Sequence, residues 1–135
     1  MNVPGLVFHH IGIASNSIIV EEIFFSFLGY SREGEIFKDD VQKIRGVFMT
    51  LGTMRVEILE PISEDSPLYS FIQHGIKMYH QAFICDDLLT TINSMEAQGA
   101  HLMVPPVSAV AFGGRKISFL MLKNMMLVEL IEAFH

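Results

Sequence analysis

The chain has 135 residues, enough for one domain with a substantial core and no disulfides. Half of it is hydrophobic and 18% is charged, which excludes an intrinsically disordered chain. Nine basic against fifteen acidic residues give a net charge of −6 with no basic stripe, so nucleic acid is not an expected partner.

No apolar run approaches the ~20 residues that cross a bilayer, and residues 1–8 lack a basic, signal-like start. A lone cysteine, Cys85, fits a reducing, cytoplasmic setting. The mean hydropathy of +0.40 leaves much apolar surface to hide, some of it between subunits of an expected homodimer.

In chain order, residues 8–14 read as a strand and Ser15-Asn16-Ser17 as helix caps. An apolar-periodic helix is expected over 18–28, stopped by Gly29. Strands follow over 30–37, 43–51 and 55–60, the last two joined at Gly52-Thr53. A linker holds a short helix over 68–74, opened by Ser66-Pro67 and closed by Gly75. The pattern then returns. A strand is expected over 78–84, caps at Asp86-Asp87, a helix over 88–98 and a stop at Gly99. Strands are expected over 101–104, ended by Pro105-Pro106, then over 117–122 and 125–132.

His10 falls on His80 and Gly29 on Gly99, both at an offset of 70. The chain is therefore read as one α+β domain of two βαβββ modules, over about 6–61 and 76–132, with a linker over 62–75. The expected architecture is a curved, cup-shaped, open mixed sheet with the helices outside.

The last strand of each module carries a carboxylate inside apolar sequence, Glu57 and Glu129. A carboxylate on an apolar face is costly unless paired or metal-bound. His10 and Glu57 are 47 residues apart, and His80 and Glu129 are 49 apart. Each module thus offers one histidine from its first strand and one glutamate from its last. Two imidazoles and two carboxylates suit a borderline divalent metal and leave positions open for substrate.

Plain structural readings compete. A single strand histidine is more often a hydrogen-bonded core residue than a ligand. Glu57 could pair with Arg55 or Arg45, and Glu129 could face solvent. His9 has the parity of Ile11 and Ile13, the face that meets the helix. His74, His101 and His135 read as surface residues. Phe48, Phe119 and Met121 are candidates either for the wall of the cup or for ordinary core.

These motifs resemble the vicinal oxygen chelate superfamily, the glyoxalase fold, over about residues 6–132. The segments 8–14, 56–61, 80–87, 113–119 and 127–132 are most similar to methylmalonyl-CoA epimerases, with glyoxalase I next. The resemblance implies one divalent ion (Zn, Ni, Co or Mn) held by His10, Glu57, His80 and Glu129. It also implies a metal-dependent isomerase or lyase that stabilises an enolate or enediolate on a small oxo-acid, acyl-CoA or thiol adduct. Glu129 is then the candidate base and Glu57 its pseudo-symmetric partner. Arg115 and Lys116 could meet a substrate anion, against a reading as solvated loop charges.

The family's rivals are a binding or resistance protein without chemistry, and a ring-cleaving dioxygenase, which this short chain fits poorly. Two departures stand out. Epimerases often have Gln at the Glu57 position. They also carry a carboxylate base on the third strand of the first module, where this chain has Gly46; Glu35, Asp39 and Asp40 lie upstream.

Overall fold

The computed structural model describes residues 3–133. The elements run β1 (Val7–Ala14), α1 (Ile18–Phe27), β2 (Ser31–Asp39), β3 (Ile44–Leu51), β4 (Met54–Pro61), α2 (Leu68–Gln73), β5 (Met78–Cys85), α3 (Leu88–Ala97), β6 (His101–Ser108), a 3-10 turn (Val110–Phe112), β7 (Lys116–Met121) and β8 (Leu127–Glu132). The eight strands belong to one mixed, open sheet with three α-helices. The βαβββ repeat is present twice.

The chain divides into two compact units. One spans His10–Tyr79; the other joins residues 80–133 to the N-terminal segment 3–9. In the first unit the strand order is β2-β3-β4-β1. β3 is antiparallel to both β2 and β4, and β1 runs parallel to β4, with Gly12 opposite Glu57. The second unit repeats this as β6-β7-β8-β5, with β5 parallel to β8 and Ala82 opposite Glu129.

The local signals act as their chemistry predicts. Ser17 Oγ accepts from the Val20 amide, and Asp87 Oδ1 accepts from the Thr90 amide, at the two helix N-termini. Both helices close alike: Tyr30 N donates to Phe25 O, and Ala100 N donates to Met95 O, around glycines at φ +104° and +93°. Glu60 adds an anchor from β4, its Oε1 accepting from the Ile18 amide at 2.8 Å.

Strand alternation sorts the faces. Ile13, Val47, Met49, Val56 and Ile58 pack with Ile18 in the first core. Val128, Leu130 and Leu120 pack with Leu88, Ile92 and Met95 of α3 in the second. His10, Glu57 and Glu129 have the opposite parity and stay off these helix-packed cores.

Two expectations are corrected. Pro105-Pro106 does not end β6; the strand continues to Ser108 with two register shifts. β6 lies at the sheet edge, where missing amide donors are tolerated. β8 starts at Leu127 rather than at 125, because Met125 sits at φ +70° in the turn and Asn124 Oδ1 accepts from the Met126 amide.

Candidate metal centre

Each unit carries one buried histidine–glutamate pair. In the first, His10 Nε2 lies 3.1 Å from Glu57 Oε1, with side chains 0% and 6% exposed. In the second, His80 Nε2 lies 3.1 Å from Glu129 Oε1, with side chains 1% and 4% exposed. β1 delivers the histidine and its parallel neighbour β4 the glutamate in the first pair; β5 and β8 do the same in the second.

Arg55 donates from Nε and Nη2 to Glu33 at 2.8 and 3.3 Å, and Arg45 Nη1 pairs with Glu60 at 3.4 Å. Glu129 is 3% exposed, which overturns its solvent-facing reading.

The donors fit a divalent ion. Ligand atoms ~2.1 Å from a common ion and at right angles to one another stand roughly 3 Å apart, the separation seen within each pair. Desolvating a buried carboxylate costs several kcal/mol, and one contact with a neighbouring imidazole offsets little more than that cost. Their burial is therefore poorly explained by stability alone. Among the described residues, His10 and Glu57 in one unit and His80 and Glu129 in the other are buried donors of the kind that can hold a metal ion.

A phenylalanine flanks each pair. Phe48 stands opposite Glu57 and presents an edge-to-face contact to His10, with centroids 5.3 Å apart. Phe119 stands opposite Glu129 and does the same to His80 at 5.2 Å. The sequence offered both as candidates for wall or core; their offset of 71 departs by one from the repeat register of 70, so that register does not pair them. Phe37 was not among those candidates, because only the strand register shows it facing Gly46.

The remaining candidates fall outside the pairs. His9 packs edge-on against Phe112 of the 3-10 turn rather than entering the core beneath α1. His74 and His101 are exposed; His135 lies outside the described residues. Arg115 is anchored, donating to Phe112 O and Glu132 O at 3.3 Å, while Lys116 is exposed. Met121 is half-buried at the end of β7.

None of the upstream carboxylates takes the third-strand position. Asp39 accepts from the Val41 and Gln42 amides and from Gln42 Nε2, so it ties the β2–β3 turn. Asp40 pairs with Lys38 at 3.4 Å, and Glu35 is exposed on β2. At Gly46 a Cβ would overlap the Phe37 ring and come within 2.9 Å of Leu59 Cδ2.

A mixed open sheet built of two βαβββ modules, each with a buried His–Glu pair, defines a protein of the glyoxalase type. The profile of the glyoxalase/bleomycin resistance protein/dioxygenase superfamily matches residues 9–119, and the chain belongs to that superfamily. Among curated proteins it is similar to the uncharacterized protein YqjC of Bacillus subtilis, at 31% identity over 127 residues, 91% of this chain and 89% of that one. Among solved structures it is similar to the hypothetical protein BH1468 of Bacillus halodurans, with a TM-score of 0.82 and 27% identity over 96% of each chain. It also shares its fold with a methylmalonyl-CoA epimerase from Mycobacterium tuberculosis, with a TM-score of 0.82 and 23% identity over 100% of this chain and 94% of that one.

Proposed function

We propose that this protein is a divalent-metal-dependent isomerase or lyase, of the methylmalonyl-CoA epimerase-like or glyoxalase I-like kind. In this reading it stabilises an enolate or enediolate by chelating two vicinal oxygens of an oxo-acid, acyl-CoA or thiol adduct. The observation that carries the reading is the pair of repeat-equivalent, buried His–Glu couples. His10, Glu57, His80 and Glu129 would together hold one ion, whether Zn, Ni, Co or Mn. Bound there, the ion would supply Lewis-acid stabilisation of the negative charge that develops on the substrate oxygens.

The chain's own residues do the rest. His10 and His80 donate neutral nitrogen and leave the carboxylates to set the charge of the site. Glu129 takes the proton from the carbon beside the substrate carbonyl and returns it, with Glu57 as its counterpart in the other half. Phe48 and Phe119 keep water from the paired side chains, which strengthens charge interactions at the reacting atoms. The test is α-hydrogen exchange of candidate substrates in deuterated solvent with metal-loaded protein. Metal-dependent exchange with an acyl-CoA or a hemithioacetal supports the reading. Stoichiometric metal without exchange across both panels favours a binding protein of the same fold.

We also infer a cytoplasmic homodimer. No helix among the described residues is long and apolar enough to cross a membrane, and Cys85 is a buried free thiol. α1 exposes Ile19, Val20, Ile23, Phe24, Phe27 and Leu28, with Phe27 88% exposed. The repeat-equivalent positions on α3 are Leu89, Thr90, Asn93, Ser94, Ala97 and Gln98, an ordinary polar surface. At ~200 Å² per large apolar side chain, the α1 face exposes on the order of 700 Å², close to the ~800 Å² per partner of a stable interface. It carries no charge; Glu21 and Glu22 are engaged by Lys77 and Arg32 beside it. Such a face fits a second copy packed across a twofold axis. The variant with both Ile23→Glu and Phe27→Glu is expected to sediment as a folded monomer where the wild type is dimeric. A wild type that is monomeric, or a variant that still dimerises, contradicts this interface.

A further inference from the structure

The two halves agree at their metal-type donors and at the flanking phenylalanines, and then diverge. In the first half, Phe37 lies opposite Gly46, and its ring fills the space that a side chain at 46 would need. That ring stacks on Phe48, with centroids 6.0 Å apart and planes at 29°. In the second half the matching pair is Val107 and Ile117. Phe37 and Phe48 are half-buried, whereas Phe119 and Ile117 are buried. A symmetric donor set does not distinguish the two ends of an asymmetric substrate; the residues that break the repeat do.

A cation of the first half on this face is already engaged. Arg55, which shares the parity of Glu57, is held by two hydrogen bonds from its guanidinium to Glu33. A free substrate carboxylate next to the chelating oxygens would meet aromatic carbon there rather than a positive charge, at the cost of desolvation.

We propose that Phe37 and Phe48 form an aromatic shelf beside His10 and Glu57 that selects a vicinal-oxygen substrate carrying an aryl or branched apolar group. The shelf disfavours a substrate with a carboxylate at that place. Gly46 is the residue that makes the shelf possible, since any side chain there displaces the Phe37 ring. This inference rests on the metal-dependent reading above.

The test uses the full chain loaded with Ni or Zn, its metal content measured first, and two chelators with the same two-oxygen head. Calorimetric titration compares benzohydroxamate, which adds an aryl ring, with acetohydroxamate, which adds a methyl. Wild type is expected to bind benzohydroxamate about tenfold more tightly, the size of effect that aromatic stacking plus ring burial supplies. Phe37→Ala and Gly46→Ala are expected to bring the two affinities to within about threefold, with metal content unchanged. Phe37→Leu, which keeps most of the volume, serves if the alanine variant fails to fold, and is expected to fall between. Equal affinities in wild type, a preference untouched by every variant, or metal-loaded protein that binds neither chelator overturns the shelf. Absence of metal overturns the reading of the donors before any chelator is added, and the shelf falls with it.

Discussion

Cys85 shows how a single residue reports its surroundings. It is 1% exposed in the core beneath α3, and burial there pushes its thiol above the usual range, against a smaller opposing effect from the Thr91 hydroxyl. A raised thiol keeps its proton in the folded state and loses it more readily when unfolded. Its contribution to stability is therefore full below about pH 9 and declines as pH rises through the shifted value. Denaturant melts between pH 8 and 10 are expected to show a loss of stability that Cys85→Ala abolishes, and the native thiol is expected to alkylate far more slowly than the unfolded one. Prompt alkylation of the native protein contradicts this. At the same scale, the two buried His–Glu pairs were legible in the sequence because a carboxylate inside an apolar strand is costly, and here the cost recurs with a histidine at repeat-matched spacings. The role of Gly46 was not. Its missing carboxylate was visible, but the reason, a ring delivered by the neighbouring strand β2, depends on cross-strand register.

Among the elements, the two long helices invite a matched comparison. Ser17 and Asp87 occupy equivalent caps with extended backbones, each satisfying one amide of the first turn. Ser17→Ala and Asp87→Ala are each expected to cost about 1 kcal/mol in urea melts, and to add in the double variant because the sites share no partner. Ser17→Ala is expected to cost the less of the two, since Glu60 still holds the Ile18 amide at that end. Equal and negligible losses would mean that the caps contribute nothing. Cap and stop residues made both helices legible in the sequence, because these signals act within four residues of where they stand. The Glu60 anchor was invisible, being a contact 42 residues away. β6 was misread for a related reason: proline breaks a strand by local rule, but an edge strand has amides that need no partner.

At the scale of the whole molecule, duplication explains both what is shared and what differs. The shared parts are strand order, caps, glycine stops and His–Glu pairs. They follow from one βαβββ plan, and they are why the fold was legible from internal similarity. The differing parts are the apolar face of α1 and the Phe37–Gly46 pairing, which the other half does not repeat. Membership of the superfamily is established, whereas substrate is decided by such departures rather than by the fold.

The proposed function requires the two buried His–Glu pairs to serve one divalent ion. Elemental analysis of untagged protein, for wild type, His10→Ala and Glu129→Ala, tests it most directly. Close to one equivalent of a divalent transition metal per chain is predicted in wild type, after reconstitution if needed. Both variants are predicted to lose that metal, although they lie in different halves. A wild type that takes up none of Zn, Ni, Co or Mn, or variants that retain it fully, would contradict the claim.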